Sequence, residues 1–292
     1  YCIIILGDAM TNKDKKRIKK RIKNIKKITN FLTIVAIFLF VVIIAISGYE
    51  ILKWNDDNKK IEEQANEIIE NTDISLVEDN ENTEIINEPE DEFDPYWDYI
   101  KIPLINVDFD SLLETNQDTV GWIQVSGTNI NYPVVQAGNN DYYLDHAFDE
   151  SWNDAGWIFM DYRNDPDNFD ENTIIYGHSR YDKSMFGSLR NIVNNDWYQN
   201  KDNHIVKFST PTENTLWQVF SVYTIEAESY YITTDFNDDS FKTWLESMQD
   251  RSKFDFNTTV NTNDKILTLS SCYTSDGIRV VLHAKLIKRE VR

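Results

Sequence analysis

The chain has 292 residues and a formal net charge of −20, with 41% hydrophobic and 13% aromatic residues. This length and apolar content support one or two folded domains with a buried core. So acidic a surface repels phosphate backbones, which excludes nucleic acid as a partner. The charge is unevenly spread: residues 11–30 carry ten Lys or Arg and one acid, Asp14, whereas from residue 31 onward 19 basic residues face 47 acidic ones.

At the N-terminus, Met10 directly precedes the basic block and competes with Tyr1 as the start, which leaves translation of residues 1–9 open. The basic segment closes at residue 30. Phe31 to Ser47 (FLTIVAIFLFVVIIAIS) carries no charge. With its neutral flanks, residues 31–49, it reaches the ~20 residues that cross a bilayer core. The bases before it place the N-terminus in the cytoplasm and everything after residue 50 outside, by the positive-inside rule. A cleavable signal peptide with Ala45-Ile46-Ser47 at its cleavage site is the alternative. The apolar run exceeds the ~7–15 residues of a signal core and favours an uncleaved single-pass anchor in the cell membrane. Ile51, Leu52, Ile61, Ala65, Ile68 and Ile69 form a weak helical stripe, read as a stalk helix. Residues 73–95 are acidic, are broken by Pro89 and Pro95, and read as a flexible linker. Residues 50–96 are thus stalk and linker, and the compact extracellular domain is expected over residues 97–292.

Within that domain a short helix is predicted over 108–114. Strands are predicted over 121–125, 130–135, 156–160, 173–176, 204–208, 217–225, 265–271 and 279–287. Pro133 argues for an edge or bulge in the second of them. A short helix is expected over 185–193. A longer one is expected at Asp238–Met248, where Phe241, Trp244, Leu245 and Met248 recur at helical spacing. Many short strands with little helix predict a mainly β fold closed into a barrel rather than a parallel α/β sheet.

Of the two cysteines, Cys2 falls on the cytoplasmic side and Cys272 outside, so they cannot pair across a membrane. An unpaired exported cysteine suggests a reactive thiol, against the alternative of a buried structural Cys beside a surface Arg. Cys272 ends a β-like run, and Arg279 opens the next one, with Asp276-Gly277 as the turn between them. A hairpin therefore brings a nucleophile and a permanent cation within side-chain reach. Acyl transfer by a thiol needs a thiolate, a proton carrier for the leaving amine and positive charge at the developing oxyanion. Arg279 suits the last role, and a histidine suits the proton carrier. Of the four histidines, His146 lies among aromatics, His204 follows a polar loop and His283 lies inside the last strand. His178 ends a strand at Gly177-His178-Ser179 and is the best placed, with His146 next.

Thr268-Leu269-Ser270-Ser271-Cys272, with Arg279 after it, resembles the TLxTC…R signature of sortases, and Ser two places before Cys is similar to class B. Asn172-Thr173-Ile174-Ile175-Tyr176-Gly177-His178 resembles the family's histidine segment. Asp118–Ile123, Tyr132–Gln136, Tyr142–Leu144, Ile158–Asp161 and Ser184–Gly187 also resemble class B segments, in the right order, so the resemblance covers about residues 97–290. It implies an eight-stranded sortase-type β-barrel with N-terminal helices and with the 238–248 helix between strands six and seven. It implies that Cys272 is the nucleophile, His178 the general acid/base and Arg279 the oxyanion partner, with Ser270 lining the substrate groove. The reaction implied is cysteine transpeptidation. A C-terminal sorting signal of an exported protein, Asn-Pro-Gln-Thr-Asn-like or Pro-x-Thr-Gly-like, is cleaved through a thioester and joined to an amine of the lipid-linked peptidoglycan precursor. Neither a metal nor another cofactor is implied. The chain departs from the family at Ser271, where Thr is commoner, and in a shorter step from Cys272 to Arg279. A thiol protease or amidase releasing the free acid, and a non-catalytic surface module, are the competing readings.

Overall fold

The computed structural model describes residues 11–272 and 277–292, with Cys272 described by its backbone alone. Residues 1–10, which include Cys2 and the question of the start, lie outside it, as does the 273–276 connection read as a hairpin turn. The chain divides into two units, up to Asp56 and from Asp57 to Arg292. Helix α1 (Asn12–Asn71) begins in the first. Its most apolar eighteen residues have a mean hydropathy of 2.9 and none is buried, which makes it long and apolar enough to cross a membrane.

The second unit begins forty residues before the sequence boundary at Trp97. The last turns of α1 bury Ile61 and Ala65, with Ile68 and Ile69 packed against the same core. The apolar stripe read as a stalk is therefore a packed helix face. The 73–96 stretch is also not a free linker. Strand β1 (Ile74–Val77) pairs antiparallel with β3 (Leu104–Val107), β2 (Thr83–Ile85) pairs with the final strand, and helix α2 (Tyr96–Tyr99) buries both its tyrosines. Strands of three and four residues among acids carry too little alternation to stand out, and short charged strands are the usual form of a sheet edge.

After helix α3 (Asp110–Thr115) come β4 (Thr119–Val125), β5 (Asn131–Val135), β6 (Phe159–Met160) and β7 (Asn172–His178). Helix α4 (Asn195–Gln199), β8 (Ile205–Ser209), β9 (Glu213–Glu226), α5 (Asp238–Asp250), β10 (Ile266–Cys272) and β11 (Ile278–Val291) complete the chain. Strands β4 to β11 form a closed eight-stranded barrel in the order β10-β7-β6-β5-β4-β8-β9-β11, with β11 returning to β10. The β7–β10 and β5–β6 pairs are parallel and the others antiparallel.

The expected barrel and N-terminal helices are present. So is the helix between the sixth and seventh barrel strands, as α5, which buries Phe241, Trp244, Leu245 and Met248. Asn237 begins α5 with a reciprocal capping box to Ser240. Pro133 sits where β5 is laddered along β4 but meets β6 only at Val135. Strands β9 and β11 run longer than predicted, to Glu213–Glu226 and Ile278–Val291, and two other elements change more. The 156–160 strand shrinks to two residues because Gly156 turns at a positive φ of 61°. The 185–193 helix is a 3-10 helix, Phe186–Val193.

Candidate active site

Thr173-Ile174-Ile175-Tyr176 and Ile266-Leu267-Thr268-Leu269 are near-continuous apolar and β-branched runs that form β7 and β10, and their burial on both faces suits the parallel pair they make in the barrel wall,. Their register runs from Ile266 opposite Asn172 to Cys272 opposite His178. The final rung thus sets the Cys272 backbone beside that of His178, at the ~4.8 Å spacing of adjacent strands. On the other side of β10 the antiparallel ladder with β11 reaches Ser270 opposite Val281. One step further, the Ser271 hydroxyl accepts the Val280 N–H at 3.1 Å. Arg279 precedes Val280, is half-buried and pairs with Ile225 of β9.

His178 donates from Nε2 to the Leu144 carbonyl at 2.8 Å. A carbonyl only accepts, so this contact puts the ring hydrogen on Nε2 and leaves Nδ1 as the exchangeable nitrogen. Burial holds the His178 pKa below its ordinary 6.5. The Leu144 hydrogen bond opposes this, the guanidinium groups of Arg180 and Arg279 reinforce it, and Asp145 opposes it weakly. The Arg279 charge therefore acts at the imidazole. Gly156 is the backbone floor here. A Cβ on it would lie 2.6 Å from the Leu144 and Tyr143 carbonyl oxygens and 2.9 Å from His178 Cδ2.

The other histidines are engaged elsewhere. His146 Nδ1 contacts the Tyr142 carbonyl and Asp145 Oδ1, each at 2.7 Å, and the ring stacks on Tyr142. His204 lies between the Tyr99 hydroxyl and the Tyr198 carbonyl. His283 is fully buried between Thr268 and Tyr223, and burial drives its pKa to about 3.

A cleft of ≈ 250 Å³ opens where these elements meet, lined among others by Leu144, Phe159, Tyr176, Tyr231, Ser270 and Arg279. Two residues predicted from sequence, Ser270 and Arg279, thus share one cleft with the residue whose carbonyl anchors a third, His178. Ser270 is buried, and its Oγ lies 3.0 Å from the Tyr231 hydroxyl. Tyr231 escaped sequence reasoning altogether, because Tyr230-Tyr231 follows a charged stretch with no periodic pattern. Leu144 and Tyr176 lay in segments singled out for resemblance, but a main-chain acceptor such as the Leu144 carbonyl leaves no side-chain signal to read. The arrangement can receive an extended peptide between aromatic walls and set a cation and an imidazole around the end of β10.

Residues 123–287 match the Sortase domain family model. The chain is 33% identical to sortase B of Staphylococcus aureus over 266 residues, covering 90% of this chain and 99% of that protein. It is 36% identical to sortase B of Listeria monocytogenes over 182 residues, 61% of this chain and 73% of that protein. Among solved structures, a Bacillus anthracis protein described as similar to sortase B aligns at 44% identity with a TM-score of 0.58, covering 62% of this chain and 83% of the other. A Staphylococcus aureus sortase B–substrate complex aligns at 38% identity with the same TM-score, over 62% of this chain and 84% of that one.

Proposed function

This chain belongs to the sortase family as a class B sortase transpeptidase, and from that premise we propose that Cys272, His178 and Arg279 are its catalytic residues. The register that sets Cys272 beside His178 at the ends of β10 and β7 carries the proposal. Arg279 and Ser270 in one cleft support it. Sortases act on sorting signals and amine nucleophiles, and the steps follow from these groups. The Cys272 thiolate attacks a backbone carbonyl of the sorting signal, and Arg279 stabilises the oxyanion of the tetrahedral intermediate. His178, protonated at Nδ1, gives that proton to the leaving amine as the peptide bond breaks, which leaves a thioester. The incoming amine then attacks the thioester, His178 Nδ1 takes its proton, and the thiolate leaves as the new amide forms. Ser270, held by Tyr231, lines the groove for the sorting signal.

The acceptor in this proposal is an amine of the lipid-linked peptidoglycan precursor. The apolar part of α1 anchors the chain by a single pass, with the N-terminus cytoplasmic and the catalytic unit extracellular, where wall precursors are assembled. The uncharged span and the ten bases before it support this orientation.

The test incubates the full chain in detergent with a library of fluorogenic sorting-motif peptides, with and without a wall-type amine, and reads products by mass spectrometry. Wild type is expected to give amine-joined product and a trapped thioester, whereas Cys272→Ala gives neither. Free acid alone in both conditions would replace transpeptidation by hydrolysis.

A further inference from the structure

The walls of the cleft are held by polar groups that touch no reacting atom. One wall is the Tyr230–Ile232 turn, which contributes Tyr231 and Ile232 to the cleft lining. The three carbonyls of this turn and that of Thr233 after it accept from side chains. Trp244 Nε1 donates to Tyr230 at 3.0 Å, Asn172 Nδ2 to Tyr231 at 3.3 Å and to Thr233 at 2.9 Å, and Arg163 Nη2 to Ile232 at 3.0 Å. The facing wall contains Asn140 and Tyr176. Both donate to Asp161 Oδ2, Asn140 from Nδ2 at 3.0 Å and Tyr176 from its hydroxyl at 2.9 Å.

The two walls meet in one ion pair. Arg163 grips Asp161 with Nε on Oδ1 at 2.8 Å and Nη2 on Oδ2 at 2.6 Å, and its backbone N–H adds a third bond to Oδ1 at 3.0 Å. Asp161 is 0% exposed. A single Arg163 Nη2 therefore reaches from the carboxylate that holds one wall to the carbonyl of the other. We propose that the Asp161–Arg163 pair is a clamp that sets the width of the sorting-signal groove, so that both residues position substrate and tune specificity.

The inference rests on reading the cleft as that groove. A planar guanidinium fork is suited to this span, since it fixes distance and angle together, which a lysine ammonium cannot do. Burial would raise the Asp161 pKa, but the bonds from Arg163 and Tyr176 outweigh it and hold the carboxyl below its usual range. These contacts favour the ionised carboxylate in the clamp. Asp161→Asn keeps the shape but turns an amide donor toward the donors of Arg163. Arg163→Lys keeps the charge but loses the fork and the reach to Ile232. Tyr176 lies two residues before His178 on β7, so the clamp ends close to the chemistry without entering it.

The test uses the full chain in detergent and the peptide that wild type turns over fastest, with alkylation of Cys272 by iodoacetamide as a second readout. That small reagent needs no groove. Both variants are expected to raise KM about tenfold or more, while kcat and the alkylation rate stay within about threefold of wild type. Unchanged KM in both variants, or KM, kcat and alkylation failing together in the milder Arg163→Lys, would overturn the clamp while leaving the sortase reading in place. A wild-type chain that cleaves no sorting peptide would overturn the groove reading itself, and the clamp with it.

Discussion

His178 works as a proton carrier only if its Nδ1 changes protonation near the operating pH, and its surroundings decide where that happens. Burial and the charges of Arg180 and Arg279 destabilise the imidazolium more than the Leu144 carbonyl and Asp145 stabilise it. Protonation is therefore delayed to below pH 6.5, and the neutral ring dominates above it. The profile of kcat/KM against pH is expected to be bell-shaped, one limb belonging to this imidazole with its midpoint below 6.5,. A profile that stays flat through that region would remove His178 from the reaction. Gly156 supports the same ring from beneath at a φ of 61°, where a side chain would strike the Leu144 carbonyl. Gly156→Ala is expected to displace that anchor and lower kcat/KM by about tenfold or more. Its unfolding free energy should fall by roughly 1–3 kcal/mol, measured by denaturant titration. Residue types alone made the thiol, the guanidinium and a histidine legible as a set. They left His146 in contention behind His178; its contacts to Tyr142 and Asp145 and the register that sets His178 beside Cys272 separate the two.

Strands β7, β10 and β11 decide which residues meet. Each was legible as a strand from its short apolar and β-branched run,. The parallel pairing of β7 with β10 was not, because a strand pattern does not say which neighbour completes its ladder. The short Tyr230–Ile232 turn was illegible for a related reason, since the Trp244, Asn172 and Arg163 side chains that hold its carbonyls come from other segments of the chain. Ser271 has a local role that either hydroxyl residue can fill. Its hydroxyl closes the top of the β10–β11 ladder by accepting the Val280 N–H, next to Arg279. Threonine offers the same oxygen, so Ser271→Thr is expected to keep wild-type turnover. Ser271→Ala leaves a buried N–H without this acceptor, which costs about 1–3 kcal/mol of stability. It is also expected to lower peptide cleavage by loosening the strand end that carries Arg279. Equal stability and turnover in the Ala variant would show that the hydroxyl is dispensable.

Across the molecule, the second unit recruits residues that composition assigned to a tether. Ile61 is only 1% exposed, and β2 extends the sheet from the far side of β11. A chain starting at residue 97 would lose these contacts. Burial of one side chain such as Ile61 alone is worth roughly 1.5–3 kcal/mol. A protein spanning residues 57–292 is therefore expected to unfold at a higher temperature than one spanning 97–292, as read by circular dichroism. Equal midpoints would mean that residues 57–96 add nothing to the fold. The sequence by itself determined the features that depend on nearby residues: the apolar span and its basic flank, the eight strands, the α5 helix and the three kinds of chemical group. Tertiary structure alone decided where the folded unit begins, that β7 pairs in parallel with β10, and how Asp161 and Arg163 join the cleft walls. These depend on register, burial and hydrogen bonds between segments distant in the chain, and a local pattern of residues carries no record of such pairings.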